Sequence, residues 1–91
     1  MTGRLERRLL RLNDRIAALE RQEHLAFEEL NMHRHLDDDA QRDAAVGGPV
    51  ERADSRDTAA DVSRFEKVVA GLATKRNKLV EKRDQLTARL R

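Results

Sequence analysis

The chain has no cysteine, no tryptophan and no tyrosine, and Phe27 and Phe65 are its only aromatic residues. Without cysteine it forms no disulfide and no thiolate metal site, which fits a reducing compartment. Two phenylalanines supply too few large side chains for a compact globular core of 91 residues. No apolar run approaches the ~20 residues that a membrane span needs. We therefore expect a cytoplasmic protein with no membrane partner.

What the chain does have is charge at regular spacing. Charged residues make up 40% of it, a composition typical of either disorder or long helices. The apolar periodicity favours helices. In the first half, apolar residues recur at alternating steps of four and three residues, which is a heptad seam: Leu5, Leu9, Leu12, Ile16, Leu19. The second half repeats this spacing at Val62, Phe65, Val69, Leu72, Arg76, Leu79, Arg83, Leu86 and Leu90.

Between the two seams lies the only cluster of helix breakers, Gly47-Gly48-Pro49. Glycine suits the left-handed residue that ends a helix, and proline suits the first turn of the next helix. A short break between two helices with heptad seams implies a two-helix antiparallel coiled-coil hairpin. The second helix has two candidate starts, Pro49 and Ser55. The sequence thus predicts one all-α domain over 1–91, with helix one at about 3–45, a turn at about 46–50 and helix two at about 51–90.

A turn centred near residue 48 also predicts the register of the two helices. It places Ile16 near Leu79 and Leu30 near Phe65. Glu23 then falls beside Arg76 in neighbouring layers of the seam, and we predict that these two side chains pair. A partly buried ion pair of this kind adds little stability but helps to fix the register.

Charge is distributed unevenly along the chain. Residues 37–61 carry eight acidic and three basic residues, whereas 62–91 carry nine basic and three acidic residues. In a hairpin, the turn end is then acidic and the end with both termini is basic. The predicted acidic tip comprises Asp37, Asp38, Asp39, Asp43, Asp54, Asp57 and Asp61. The predicted basic base comprises Arg4, Arg7, Arg8, Arg11, Lys78, Lys82 and Arg89.

The acidic tip has two interpretations. Asp54 and Asp57 suit the N-terminal part of a helix, where negative charge is favourable, so they need no function. The run Asp37-Asp38-Asp39 opposes the dipole of helix one, because it lies late in that helix. This run favours an acidic finger that engages a basic surface.

Some apolar residues lie off the seam. Leu25, Met32 and Leu36 share one face of helix one, because residues three, four and seven apart are neighbours on a helix. One contact between two helices does not cover them. They predict a surface that packs against a partner or a second copy, and dimerisation into a four-helix assembly is the alternative that the pattern leaves open.

Catalytic and metal-binding motifs are lacking. His33 and Asp37 share a helix face, but zinc needs three or four ligands. There is no Ser/His/Asp set and no glycine-rich phosphate loop, and a pair of helices offers no deep pocket. We expect no enzyme activity, no metal site and no cofactor.

The Asp-rich tip on an antiparallel hairpin resembles the coiled-coil domain of secondary-channel RNA polymerase factors, both the DksA/TraR type and the transcript-cleavage type. The segment from Arg52 to Ala59, with Asp54, Arg56 and Asp57, resembles the Asp- and Arg-rich turn of the DksA/TraR type. The resemblance implies that the tip acids reach towards the polymerase active site and its Mg²⁺, with Asp54 and Asp57 as the equivalent residues. It covers the hairpin only, since the four-cysteine zinc module and the globular domain of those families have no counterpart here.

Three functions remain open at this point. The first is a helical-hairpin protein-interaction or adaptor module that acts through heptad surfaces. The second is a transcription regulator that inserts its acidic tip into RNA polymerase. The third is nonspecific binding of nucleic acid or the ribosome through the basic base. The residues do not identify the partner or the oligomeric state.

Overall fold

The computed structural model describes residues 3–90 and consists of two helices joined by a two-residue turn. Helix α1 spans Arg4–Val46 and helix α2 spans Pro49–Arg89. No strand occurs within residues 3–90. The predicted all-α helical hairpin is therefore confirmed. Of the two candidate starts for the second helix, the structure has Pro49.

The turn is organised around Gly48 and the start of α2. The Gly48 backbone N–H donates to Glu51 Oε2 at 2.8 Å, which is the side-chain half of a capping box. Pro49 follows as the first helical residue, where its missing N–H costs no intrahelical hydrogen bond. The N-terminus of α1 is capped in the same way, since the Gly3 N–H donates to Glu6 Oε2 at 3.0 Å.

Gly47 is needed for close approach rather than for backbone handedness. The expectation that a left-handed glycine ends helix one is wrong, since no glycine within residues 3–90 has a positive φ. A Cβ at position 47 would lie 2.8 Å from the carbonyl oxygen of Asp43 and 2.7 Å from Cβ of Glu51. Because real Cβ atoms do not come so close to backbone atoms, any larger residue must displace the turn.

Two glycine substitutions should therefore have opposite effects. Gly47→Ala should destabilise the hairpin by roughly 1–3 kcal/mol, the usual cost of overpacking. Gly71→Ala should stabilise it by about 1 kcal/mol, because Gly71 lies inside α2 with nothing within 4 Å of an added Cβ. Urea unfolding followed by circular dichroism measures both. Equal free-energy changes of the same sign would contradict this description of the turn.

The contacts divide the chain into two compact units. The first, here called the terminal unit, contains residues 3–24 and 71–90. Its core is the part of the seam with large apolar side chains: Ile16, Leu79 and Leu86 are buried. Next to this core, Arg76 Nε donates to Glu23 Oε2 at 2.6 Å, and the two side chains are 32% and 19% exposed. The predicted Glu23–Arg76 pair is thus confirmed.

The second unit, here called the turn unit, contains residues 25–70. Leu30 is its one buried apolar residue among the described positions. The Phe65 ring stacks on His33, with 4.5 Å between ring centroids. Arg34 and Glu66 form an ion pair at 3.8 Å on the surface of this unit.

Towards the turn, the seam positions are occupied by small and polar residues instead of large apolar ones. Asp37, Ala40 and Ala44 continue its spacing on α1 and are half-buried. On α2, Ser55 is buried and Thr58 is half-buried. This part of the hairpin is held by hydrogen bonds between helices in place of apolar contacts: Thr58 Oγ1 donates to Asp37 Oδ1 at 2.9 Å, and Gln41 Nε2 donates to the Ser55 carbonyl at 3.1 Å.

Neither helix has a stretch apolar enough to cross a lipid bilayer, judged over residues 3–90.

Candidate interaction surfaces

An acidic groove lies on one side of the turn unit, between α1 and α2. It is shallow, at about 350 Å³, and its lining includes five carboxylates and no basic residue. Asp39 and Asp43 come from α1, while Glu51, Asp54 and Asp57 come from α2. Leu36, Ala40 and Thr58 complete the lining.

The carboxylates of this groove differ in how they are paired. Asp39 forms an ion pair with Arg42, and Glu51 accepts the hydrogen bond that caps α2. The side-chain carboxylates of Asp43, Asp54 and Asp57 have no hydrogen-bond or ion-pair partner within residues 3–90. Three negative charges of the groove are therefore available to a partner.

The other predicted tip acids lie outside the groove. Asp37 is a seam residue whose Oδ1 also accepts a hydrogen bond from Gln41 Nε2 at 3.0 Å. Asp38 is exposed. Asp61 is half-buried and pairs with Arg64. Glu51 is the acid that the predicted set omits, although its place in the α2 heptad pattern could have identified it.

Asp37 and Asp38 are adjacent in the chain but should respond differently to substitution. Asp37→Ala removes two hydrogen bonds from a half-buried site, so we expect it to destabilise the hairpin by about 1–2 kcal/mol. Asp38→Ala should change the free energy of unfolding by less than about 0.5 kcal/mol, as at most exposed sites. Thermal or urea unfolding of the two variants measures the difference. Equal effects would show that the Asp37 hydrogen bonds do not hold the turn unit together.

An apolar surface is exposed in the same unit. Leu25, Met32 and Leu36 lie on one face of α1 and are 62%, 52% and 50% exposed. Val68 of α2 is also exposed, at 44%. Leu36 belongs both to this surface and to the lining of the acidic groove. Exposed apolar residues elsewhere, which the predicted stripe does not include, are Leu10, Phe27, Val46, Val50 and Leu90.

A basic groove runs along one side of the terminal unit. It consists of two adjoining hollows of about 520 and 390 Å³, which share Arg15 and Lys82. Leucines from both helices, such as Leu12 and Leu86, are among its lining residues. Its walls carry seven basic residues and no acidic one: Arg8, Arg11, Arg15, Lys75, Lys78, Lys82 and Arg89.

None of these seven cations has an ion-pair partner within residues 3–90. Arg76 and Arg83, their neighbours in sequence, are instead directed to Glu23 and Asp84. Of the predicted basic residues, Arg4 and Arg7 do not line the groove. Arg15 and Lys75 do, and the predicted set omits them. The sequence pattern that could have identified Arg15 and Lys75 is a row of basic residues at heptad spacing beside the seam on each helix. The row is Arg8-Arg11-Arg15 on α1 and Lys75-Lys78-Lys82 on α2.

The two units carry opposite net charges. The described part of the terminal unit has twelve basic and six acidic residues, which gives +6. The turn unit has six basic and eleven acidic residues, which gives −5. Within residues 3–90, no three His, Asp or Glu side chains are arranged so that they could hold a metal ion.

In comparisons with protein-family models, with curated proteins and with solved structures, nothing matches this chain. The likeness to RNA polymerase factors therefore stays a prediction from the sequence.

Proposed function

We propose that this chain is a non-enzymatic helical-hairpin interaction module, which acts by packing an exposed face of its helices against another protein chain. The observation that carries the proposal is the apolar surface of Leu25, Met32 and Leu36. Each of these large side chains is half or more exposed, and all three lie on one helix face. Exposed apolar residues in a row are typical of interaction sites, whereas single ones are ordinary.

The small core supports the same proposal. Within residues 3–90, the buried apolar side chains are Ile16, Leu30, Leu79 and Leu86. The chain exposes 6830 Å², whereas an average monomeric protein of 10.5 kDa exposes roughly 5,400 Å². Since apolar burial is the main favourable term in folding, covering more of this surface would stabilise the hairpin.

A matched pair of triple variants tests the role of the apolar surface. Leu25→Gln/Met32→Gln/Leu36→Gln should abolish association with other chains, because glutamine keeps helix propensity but loses apolar area. The control, Leu10→Gln/Phe27→Gln/Val50→Gln, changes residues of similar exposure that lie elsewhere and should associate like the wild type. Sedimentation velocity at micromolar concentrations and affinity capture from the source cell measure association, with circular dichroism to check helicity.

Two results would count against this function. One is a wild-type chain that stays monomeric and captures no partner. The other is an equal loss of association in the two triple variants. The loss would then come from removing exposed apolar side chains in general and not from removing this particular surface.

A second proposal follows from the acidic groove, where Asp54 and Asp57 have no partner within the described residues. These are the two residues that the resemblance to secondary-channel factors assigns to contact with RNA polymerase. If the chain is such a transcription regulator, it should co-purify with RNA polymerase, and Asp54→Lys/Asp57→Lys should abolish the co-purification. The control variant, Glu20→Lys/Asp38→Lys, should co-purify with polymerase like the wild type. If the Asp54→Lys/Asp57→Lys variant still co-purifies with polymerase, this alternative is excluded.

A further inference from the structure

We propose that the partner is a second copy of this chain, and that the basic groove of each copy binds the acidic groove of another. This inference rests on the proposed interaction function and names its partner. It begins from the strict separation of charge in the two grooves. Seven basic residues line one groove without an acid, and five acids line the other without a base.

In a single chain, each set of like charges is unfavourable. Arg8, Arg11 and Arg15 are three and four residues apart on α1, and Lys75, Lys78 and Lys82 repeat this spacing on α2. Like charges at these spacings repel along a helix surface. The seven cations have no ion pair within residues 3–90 that would offset the repulsion.

The acidic groove has a similar arrangement with the opposite sign, although Asp39 pairs with Arg42 and Glu51 caps α2. Asp39 and Asp43 are four residues apart on α1, and Asp54 and Asp57 are three apart on α2. Each groove is thus lined by two rows of charge, one from each helix, together with apolar residues. Rows of opposite sign with steps of three and four residues can pair along their length, as the flanking charges of coiled coils do.

A second copy fits these charges better than a nucleic acid does. A polyanion would pair with the terminal unit at +6 but would be repelled by the turn unit at −5. It would also leave Asp43, Asp54 and Asp57 unpaired. A second copy supplies a complement to both grooves, and its apolar surface beside Leu36 can be buried in the same contact.

Charge reversal with mixing tests the proposal on the full chain. The first variant makes the acidic groove basic: Asp43→Lys/Asp54→Lys/Asp57→Lys. The second reverses three of the seven charges of the basic groove, Arg11→Glu/Lys78→Glu/Lys82→Glu, and lowers the net charge of its lining from +7 to +1. Each variant alone should self-associate at least about tenfold more weakly than the wild type, because the reversed residues then face charges of their own sign on the other copy. An equimolar mixture should associate more tightly than either variant alone, because the unchanged basic groove of the first variant can bind the unchanged acidic groove of the second.

The control variant is Glu20→Lys/Asp38→Lys/Glu81→Lys. It changes net charge as much as the first variant does, but at exposed positions outside both grooves, and should self-associate like the wild type. Sedimentation equilibrium gives the dissociation constants and separates a closed dimer from an open chain of copies. Wild-type self-association should also weaken as sodium chloride rises, because salt screens exposed charges.

Three outcomes would overturn the proposal. The first is a wild-type chain that does not self-associate at micromolar concentration. The second is a mixture that associates no better than its components. The third is a wild-type chain that prefers a short DNA duplex to itself, with duplex binding lost in the Arg11/Lys78/Lys82 variant. If the Leu25/Met32/Leu36 variant loses association while both charge-reversed variants keep it, the interaction function stands and only the charge pairing is wrong.

Discussion

The structure depends on one constraint, the alternation of three- and four-residue steps that keeps one row of side chains on each helix directed at the other helix. Because 3.5 residues is close to a helical turn, the row stays on one face over its whole length. Where its members are large and apolar, as at Ile16, Leu79 and Leu86, burial holds the helices together. Where they are small and polar, as at Asp37 and Thr58, hydrogen bonds do so.

The same constraint sets the positions of the surface charges. A residue that lies beside the seam in one turn has counterparts three, four and seven residues later, so charges at that spacing form a continuous row. Arg8, Arg11 and Arg15 form such a row along the basic groove. The acidic groove follows the same rule near Gly47 and Gly48. Separation of charge into two grooves is therefore a property of heptad position and not of net charge, which is only +2.

The sequence alone predicted the hairpin, the turn at the double glycine and the Glu23–Arg76 pair, because large apolar residues make the period visible. It did not predict that the seam continues through Asp37, Ser55 and Thr58, since a search for apolar residues passes over a polar seam. The predicted acidic tip was defined by position along the chain, so it grouped Asp37 with Asp39. In the structure Asp37 lies in the seam between the helices, whereas Asp39 lines the acidic groove. The role of Gly47 could not be predicted from the sequence, because it depends on the distance between position 47 and the carbonyl oxygen of Asp43, which only the structure gives.

The most direct test of the account is the distance between α1 and α2 within one molecule. Spin labels at Arg34→Cys and Glu66→Cys suit it, because the chain has no other cysteine and these side chains form an ion pair at 3.8 Å. Labelled chain should be diluted in excess unlabelled chain, so that only intramolecular coupling is measured. The hairpin predicts strong dipolar broadening, with backbones about 10 Å apart. Labels about 48 Å apart, the length of 32 residues in one unbroken helix, would contradict it.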